Sequence, residues 1–182
     1  SCGSNESAEK PSAASSDTAA KDSSPATTAA AGSRDNTPVV LTGSADGTVT
    51  YGNDSVTVDA SHTEEGYLMV SYSGSNSKVK LQITGSDEIT YTYNLHDGYE
   101  TFPLTSGSGS YTVGVFENIE GTSYSTLFTQ AIDVTIQDEF GPYLYANQYV
   151  NFSADSKVIS KAMELSASAN DDLEVIENVY NY

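Results

Sequence analysis

Groups able to make and break bonds are few in this chain and widely scattered. Its single cysteine, Cys2, can form no internal disulfide, thiolate metal cluster or redox pair, and on a polar tail it lacks a positioned base. The two histidines lie in turn-like contexts, His62 within Ser-His-Thr-Glu-Glu and His96 within Leu-His-Asp-Gly. His96 beside Asp97 reads as hairpin turn chemistry, because a Ser/His/Asp site needs convergence that local spacing does not supply. The acidic pairs Glu64-Glu65, Asp87-Glu88 and Asp138-Glu139 lack the alternating oxygen ligands of a calcium loop and read as solvated acids. No glycine-rich phosphate loop, Cys/His metal spacing or His-Glu-x-x-His motif occurs. No metal or cofactor is therefore expected, and no residue is nominated as catalytic. Asn-x-Ser sequons at Asn5, Asn53 and Asn151 carry weight only in a eukaryotic source.

Binding chemistry is better represented, by 13 tyrosines. Exposed tyrosines can stack on sugars or peptides. Tyr72, Tyr91, Tyr93 and Tyr111 share the phase of neighbouring aliphatic residues and are expected in the core. Tyr67 and Tyr99 are freer to face outward and are the candidate ligand-facing residues, for a protein or a glycan.

These residues must be positioned by strands. From Gly47 on, short β-branched runs are separated by turn residues: Thr48-Val49-Thr50-Tyr51, then Gly52-Asn53-Asp54, then Ser55-Val56-Thr57-Val58. Leu68, Val70 and Tyr72 alternate with Met69 and Ser71, and Val79, Leu81 and Ile83 alternate with Lys80 and Gln82. The same period of two runs through Ile89, Tyr91, Tyr93 and Leu95, through Tyr111, Val113 and Val115, and through Ile132, Val134 and Ile136. Seven or eight strands with one polar face each predict an antiparallel β-sandwich.

The flanks differ from this middle. Gly3 to Pro38 contains no Val, Ile, Leu, Met, Phe, Trp or Tyr, so it cannot offset its chain entropy by burial and is expected to be disordered. After Ile136 an aromatic connector carries Phe140, Tyr143, Leu144, Tyr145, Tyr149, Val150 and Phe152 around the breaker Gly141-Pro142, a density that predicts docking. Ser153 then offers a helix N-cap, with Val158, Ile159, Ala162 and Leu165 on one face. After a break at Ser166 to Asn170, Asp171 and Asp172 open a second helix, whose stripe is Leu173, Ile176, Val179 and Tyr180. That stripe is expected to be exposed for want of its partner. The organisation is thus 1–38 tether, 39–137 β-sandwich and 138–182 connector with helices.

Composition narrows the partners. The formal charge is −18, with 25 acids against 7 basic residues, and such a surface repels phosphate backbones, so no nucleic-acid partner is expected. No apolar run reaches the roughly 20 residues of a spanning helix. The chain opens on Ser-Cys-Gly-Ser without Met, as expected of a start near a processing point or of a trimmed chain.

Three resemblances add to this reading. Gly109-Ser110-Tyr111-Thr112-Val113 resembles the entry to a late strand of immunoglobulin-like and fibronectin type III-like domains, which implies that Tyr111 ties the corner between sheets through its hydroxyl. A Cys at the extreme start followed by a Ser/Ala-rich stretch resembles the mature end of a bacterial lipoprotein. This implies lipid attachment at Cys2, with Ser1 the last residue of a signal peptide, and a protein held at the extracellular face of the bacterial membrane. Tyr-Leu-Tyr-Ala-Asn-Gln-Tyr-Val-Asn-Phe, the helical stretch Ser156 to Leu165, and Asn170 to Tyr182 together resemble the lead-in to a bacterial transglutaminase-like domain; Phe102 to Thr105 with Gly109 to Tyr111 is similar to the accessory domain before it. That resemblance implies a non-catalytic N-terminal part of a larger protein, whose Cys/His/Asp acyltransferase or protease domain follows in cis. Its catalytic residues have no counterpart in these 182 residues. The alternatives are a lipid-tethered, adhesin-like binding module for glycan or protein, and a plain structural spacer.

Overall fold

The computed structural model describes residues 30–182. Cys2 and the rest of the N-terminal stretch before residue 30 lie outside the described residues. The fold is mainly β: two antiparallel four-stranded sheets, followed by two short helices.

Strands β1 (Thr50–Gly52), β2 (Val56–Asp59), β3 (Tyr67–Tyr72) and β6 (Glu100–Pro103) form the first sheet in that order. The second sheet runs β5 (Thr90–Asn94), β4 (Val79–Thr84), β7 (Gly109–Glu120) and β8 (Ser123–Val134). Alternation sets the register. Val58 pairs with Val70 in the first sheet, Leu81 pairs with Val115 in the second, and all four are fully buried. Both sheets close on one core that includes Val56, Leu68, Leu81, Phe102, Tyr111 and Val113. Burying each such side chain is worth about 1.5–3 kcal/mol.

Tyr91 and Ile89 depart from expectation. They follow the core phase, yet Tyr91 is 45% and Ile89 50% exposed. Strand β5 is an edge, paired only with β4, so its inward side is only partly covered; Tyr93, against Phe102 at 4.9 Å between ring centroids, is buried. Tyr72 and Tyr111 sit in the core as their phase predicts. The Tyr111 hydroxyl donates to the Gly107 carbonyl at 2.7 Å and accepts from the Ser106 N–H at 2.9 Å. It thereby ties the loop between β6 and β7.

In the first sheet β3 is buried on both faces. A 3-10 turn at Thr63–Glu65 ends on Gly66, which has φ 90° and lies so close to Pro142 that a Cβ would collide with the ring. There the connector docks. Gln137 N–H bonds Glu64 O, Gly141 and Pro142 are buried, and the Tyr145 ring lies 4.5 Å from that of Tyr67. Phe140, Tyr143, Tyr149 and Val150, however, stay exposed, so the aromatic connector docks through only part of its length.

Helices α1 (Lys157–Ser166) and α2 (Asp172–Tyr180) form a hairpin. The N-cap of α1 is Ser156 rather than Ser153; the Ser156 hydroxyl is instead occupied by the Ser153 N–H. Asp171 caps α2, accepting from Glu174 N–H at 2.9 Å, and Asn178 reaches back to the Leu165 carbonyl at 2.8 Å.

The expectation of disorder through Pro38 fails for Gly32 to Asn36, which clasp the turn between the helices. Gly32 N–H donates to Ala167 O, Ser33 N–H to Asn170 Oδ1, Asn36 Nδ2 to Ser166 O, and Arg34 pairs with Asp172 at 2.8 Å. Backbone and short polar groups do this work, so it needed no apolar side chain. Leu41 then bridges in parallel to Tyr145.

Candidate functional site

Tyr67 and Tyr99, nominated together as ligand-facing, are not brought together. Tyr67 starts β3, whereas Tyr99 precedes Glu100, the partner of Val70, which puts the two about 13 Å apart along the strands. Tyr99 is 48% exposed, as an outward-facing residue should be. Tyr67 is only 3% exposed, which corrects its outward reading. Its ring lies between His62 and Tyr145, and its hydroxyl accepts from Ser44 N–H at 3.2 Å. The alternation of β3 assigned Tyr67 and Met69 to the non-core face correctly. What covers that face comes from distant segments, residues 41–46 and the connector, which a local period cannot register.

The cover contains a Ser/His/acid cluster that sequence reasoning did not assemble. Ser44 Oγ lies 3.2 Å and Asp46 Oδ2 2.5 Å from the same nitrogen, His62 Nε2, while Glu65 approaches Nδ1 at 3.4 Å. In a working triad one ring nitrogen faces the nucleophile and the other the orienting acid. With Asp46 taking the Nε2 proton, that nitrogen cannot remove one from Ser44. Burial disfavours a charged His62, but Asp46 and then Glu65 outweigh it, and the imidazole is held above its ordinary pKa. An imidazole whose cationic form two carboxylates favour is less available as a general base. The cluster is a charge clamp that fastens residues 44–46 to the turn before β3. Beside it, burial pushes the Asp59 carboxyl up, but hydrogen bonds from Ser61 and from Gly47 N–H prevail and lower its pKa overall.

His96, at the other histidine position, bonds Glu100 at 3.0 Å, and Gln148 Nε2 joins the same carboxylate at 3.3 Å. Among the described residues no cluster of His, Cys, Asp and Glu has metal-binding geometry, and no helix is long and apolar enough to cross a membrane.

Two surface features have the shape of binding sites. A groove of about 460 Å³ lies beside the Tyr111 corner, walled by Leu104, Ile136, Phe140 and Tyr143 with Glu139 at its edge. The second is on the outer face of the second sheet, which no other segment among the described residues covers as β3 is covered. There Lys80, Gln82, Thr92, Phe116 and Tyr124 line a depression of about 430 Å³. The second was not found from sequence, because Phe116 and Tyr124 lie outside the core phase and only the β4–β7 and β7–β8 registers bring them beside Lys80.

No protein-family model and no curated protein matches this sequence.

Proposed function

We propose that this chain is the non-catalytic, membrane-tethered accessory part of a bacterial surface lipoprotein, with lipid on Cys2 and a transglutaminase-like domain as its partner in cis. The observation that carries the reading is the bare face of α2: Leu173 is 75%, Ile176 63%, Val179 55% and Tyr180 88% exposed. A stripe of that size on one short helix is a face for another folded body. The strand orders of the two sheets and the Tyr111 corner accord with a fibronectin type III-like sandwich, a fold that is a scaffold and specifies no chemistry. In this reading the sandwich orients, the Cys2 lipid anchors, and thiol acyl transfer or peptide hydrolysis belongs to the partner domain.

The test is direct. The coding sequence that follows Tyr182 is expected to encode a Cys, then His and Asp, in a folded domain that binds residues 39–182 and loses affinity on Ile176→Asp. Amidase or cross-linking activity in purified residues 39–182 contradicts the proposal, as does an unmodified Cys2 thiol in mass spectra of the native protein.

A second reading, an adhesin-like module for glycan or protein, is favoured by the exposed polar residues of the second sheet, such as Thr92 and Asn94, and its depression at Phe116 and Tyr124.

A further inference from the structure

The outward residues of the second sheet are set by register: Asn94, Lys80, Phe116 and Thr126 in one row, Thr92, Gln82, Gly114 and Thr129 in the next, Thr90, Thr84, Thr112 and Ala131 in a third. Hydroxyls and amides dominate, and they are already organised. Gln82 Nε2 reaches Thr92 Oγ1 at 3.3 Å and the Thr84 and Thr90 hydroxyls meet at 2.7 Å. In a chain of net charge −18 these three rows hold no carboxylate; Asp133, opposite Ser110, comes only beyond their far end. The positive charge lies at the near end. Lys80 sits 4.8 Å from the centroid of the Tyr124 ring, and Lys78 lines an adjoining depression of about 350 Å³ that shares Tyr124.

Phe116 supplies the platform. A Cβ on Gly114 would lie 2.8 Å from Phe116 Cε2, so the ring reaches back across the glycine and needs its bare backbone. A half-buried aromatic laid over a strand, a second aromatic at its side, and a field of amides and hydroxyls match the two surfaces of a pyranose, its C–H face and its hydroxyl rim.

We infer that this depression is a saccharide site for a short oligosaccharide whose acidic sugars alternate with neutral ones. The carboxylate lies toward Lys80 and Lys78, and a sugar face stacks on Phe116 and Tyr124. The lysines account for the acid, since two of the seven basic residues of the chain line the two adjoining depressions and no carboxylate is among their lining residues. The overall negative charge disfavours a densely charged polymer, so a sparse acid is the better fit. This site rests on the binding-module reading and is independent of the accessory reading.

Titration calorimetry of the full chain with a hyaluronan hexasaccharide, a neutral chitohexaose and a hexaglutamate peptide separates the outcomes. The acidic hexasaccharide is expected to bind best. Lys80→Gln is expected to weaken it about fivefold and Tyr124→Ala about tenfold, with unchanged melting temperatures. Equal binding of the neutral hexamer, or insensitivity to Lys80→Gln, overturns the acidic class while leaving a saccharide-binding module. Preference for the peptide overturns the saccharide. Binding of none of the three overturns the site, and the accessory reading stands or falls separately on its own test.

Discussion

Replacing Tyr111 by Phe removes one oxygen and keeps the ring. The ring is 1% exposed and stays in the core, so the hydrophobic contribution is conserved. What goes is a hydroxyl that donates to Gly107 O and accepts from Ser106 N–H. Each hydrogen bond is worth about 1 kcal/mol net, and leaving partners unsatisfied in a part-buried corner adds to that, so the loss is about 2–3 kcal/mol. For a folded body of some 150 residues this lowers the melting temperature by about 5–10 °C. Urea unfolding is the cleaner assay. The midpoint falls while the slope is retained, because no change in exposed area accompanies the substitution. Tyr91→Phe, at a 45% exposed position, serves as control and is expected to change stability by less than about 0.5 kcal/mol. If Tyr111→Phe matches that control, the corner bonds do not hold the β6–β7 loop and the reasoning is refuted.

Two other perturbations probe the ends of the sheet region. Gly32→Ala places a Cβ against the Ala169 carbonyl and is expected to release the clasp, so the amides of Gly32 (now Ala), Ser33 and Arg34 exchange hydrogen faster with the melting temperature nearly unchanged; unaltered exchange counts against the clasp. His62 has a raised folded-state pKa, so the stability it contributes is fully present below its unfolded value of about 6.5 and fades as pH rises through the higher folded one. Urea midpoints of the wild type and His62→Gln are therefore expected to differ most in mild acid and to converge at alkaline pH; a gap that widens with pH refutes the clamp.

Much of the fold is legible because strands such as β4 carry their burial in a period of two, as in Val79, Leu81 and Ile83. The helices are legible for the parallel reason, and Asp171 was marked as a helix start by its own chemistry. The losses have a common cause. Tyr67 was misread because its cover arrives from residues 41–46 and from Tyr145, far away in sequence. Gly32 to Asn36 was misread because its order comes from backbone bonds to a helix turn, invisible to a hydrophobicity count. The depression of the second sheet was illegible because its members are ordinary outward residues until register aligns Lys80 with Phe116. Tyr99 alone, among the nominated tyrosines, stands where an outward reading put it.

The clasp has a mechanical meaning. Gly32 bonds Ala167 and Arg34 bonds Ala169, so the two segments run in the same direction. A pull entering at Gly32 and leaving through α2 therefore loads these bonds together, in shear, with the Arg34–Asp172 pair in the same path. The eight strands lie between residues 50 and 134, outside that path, and carry no load until the clasp parts. The β domain is in this sense a side branch, and exchanging it for a longer one would add bulk to the protein but no reach.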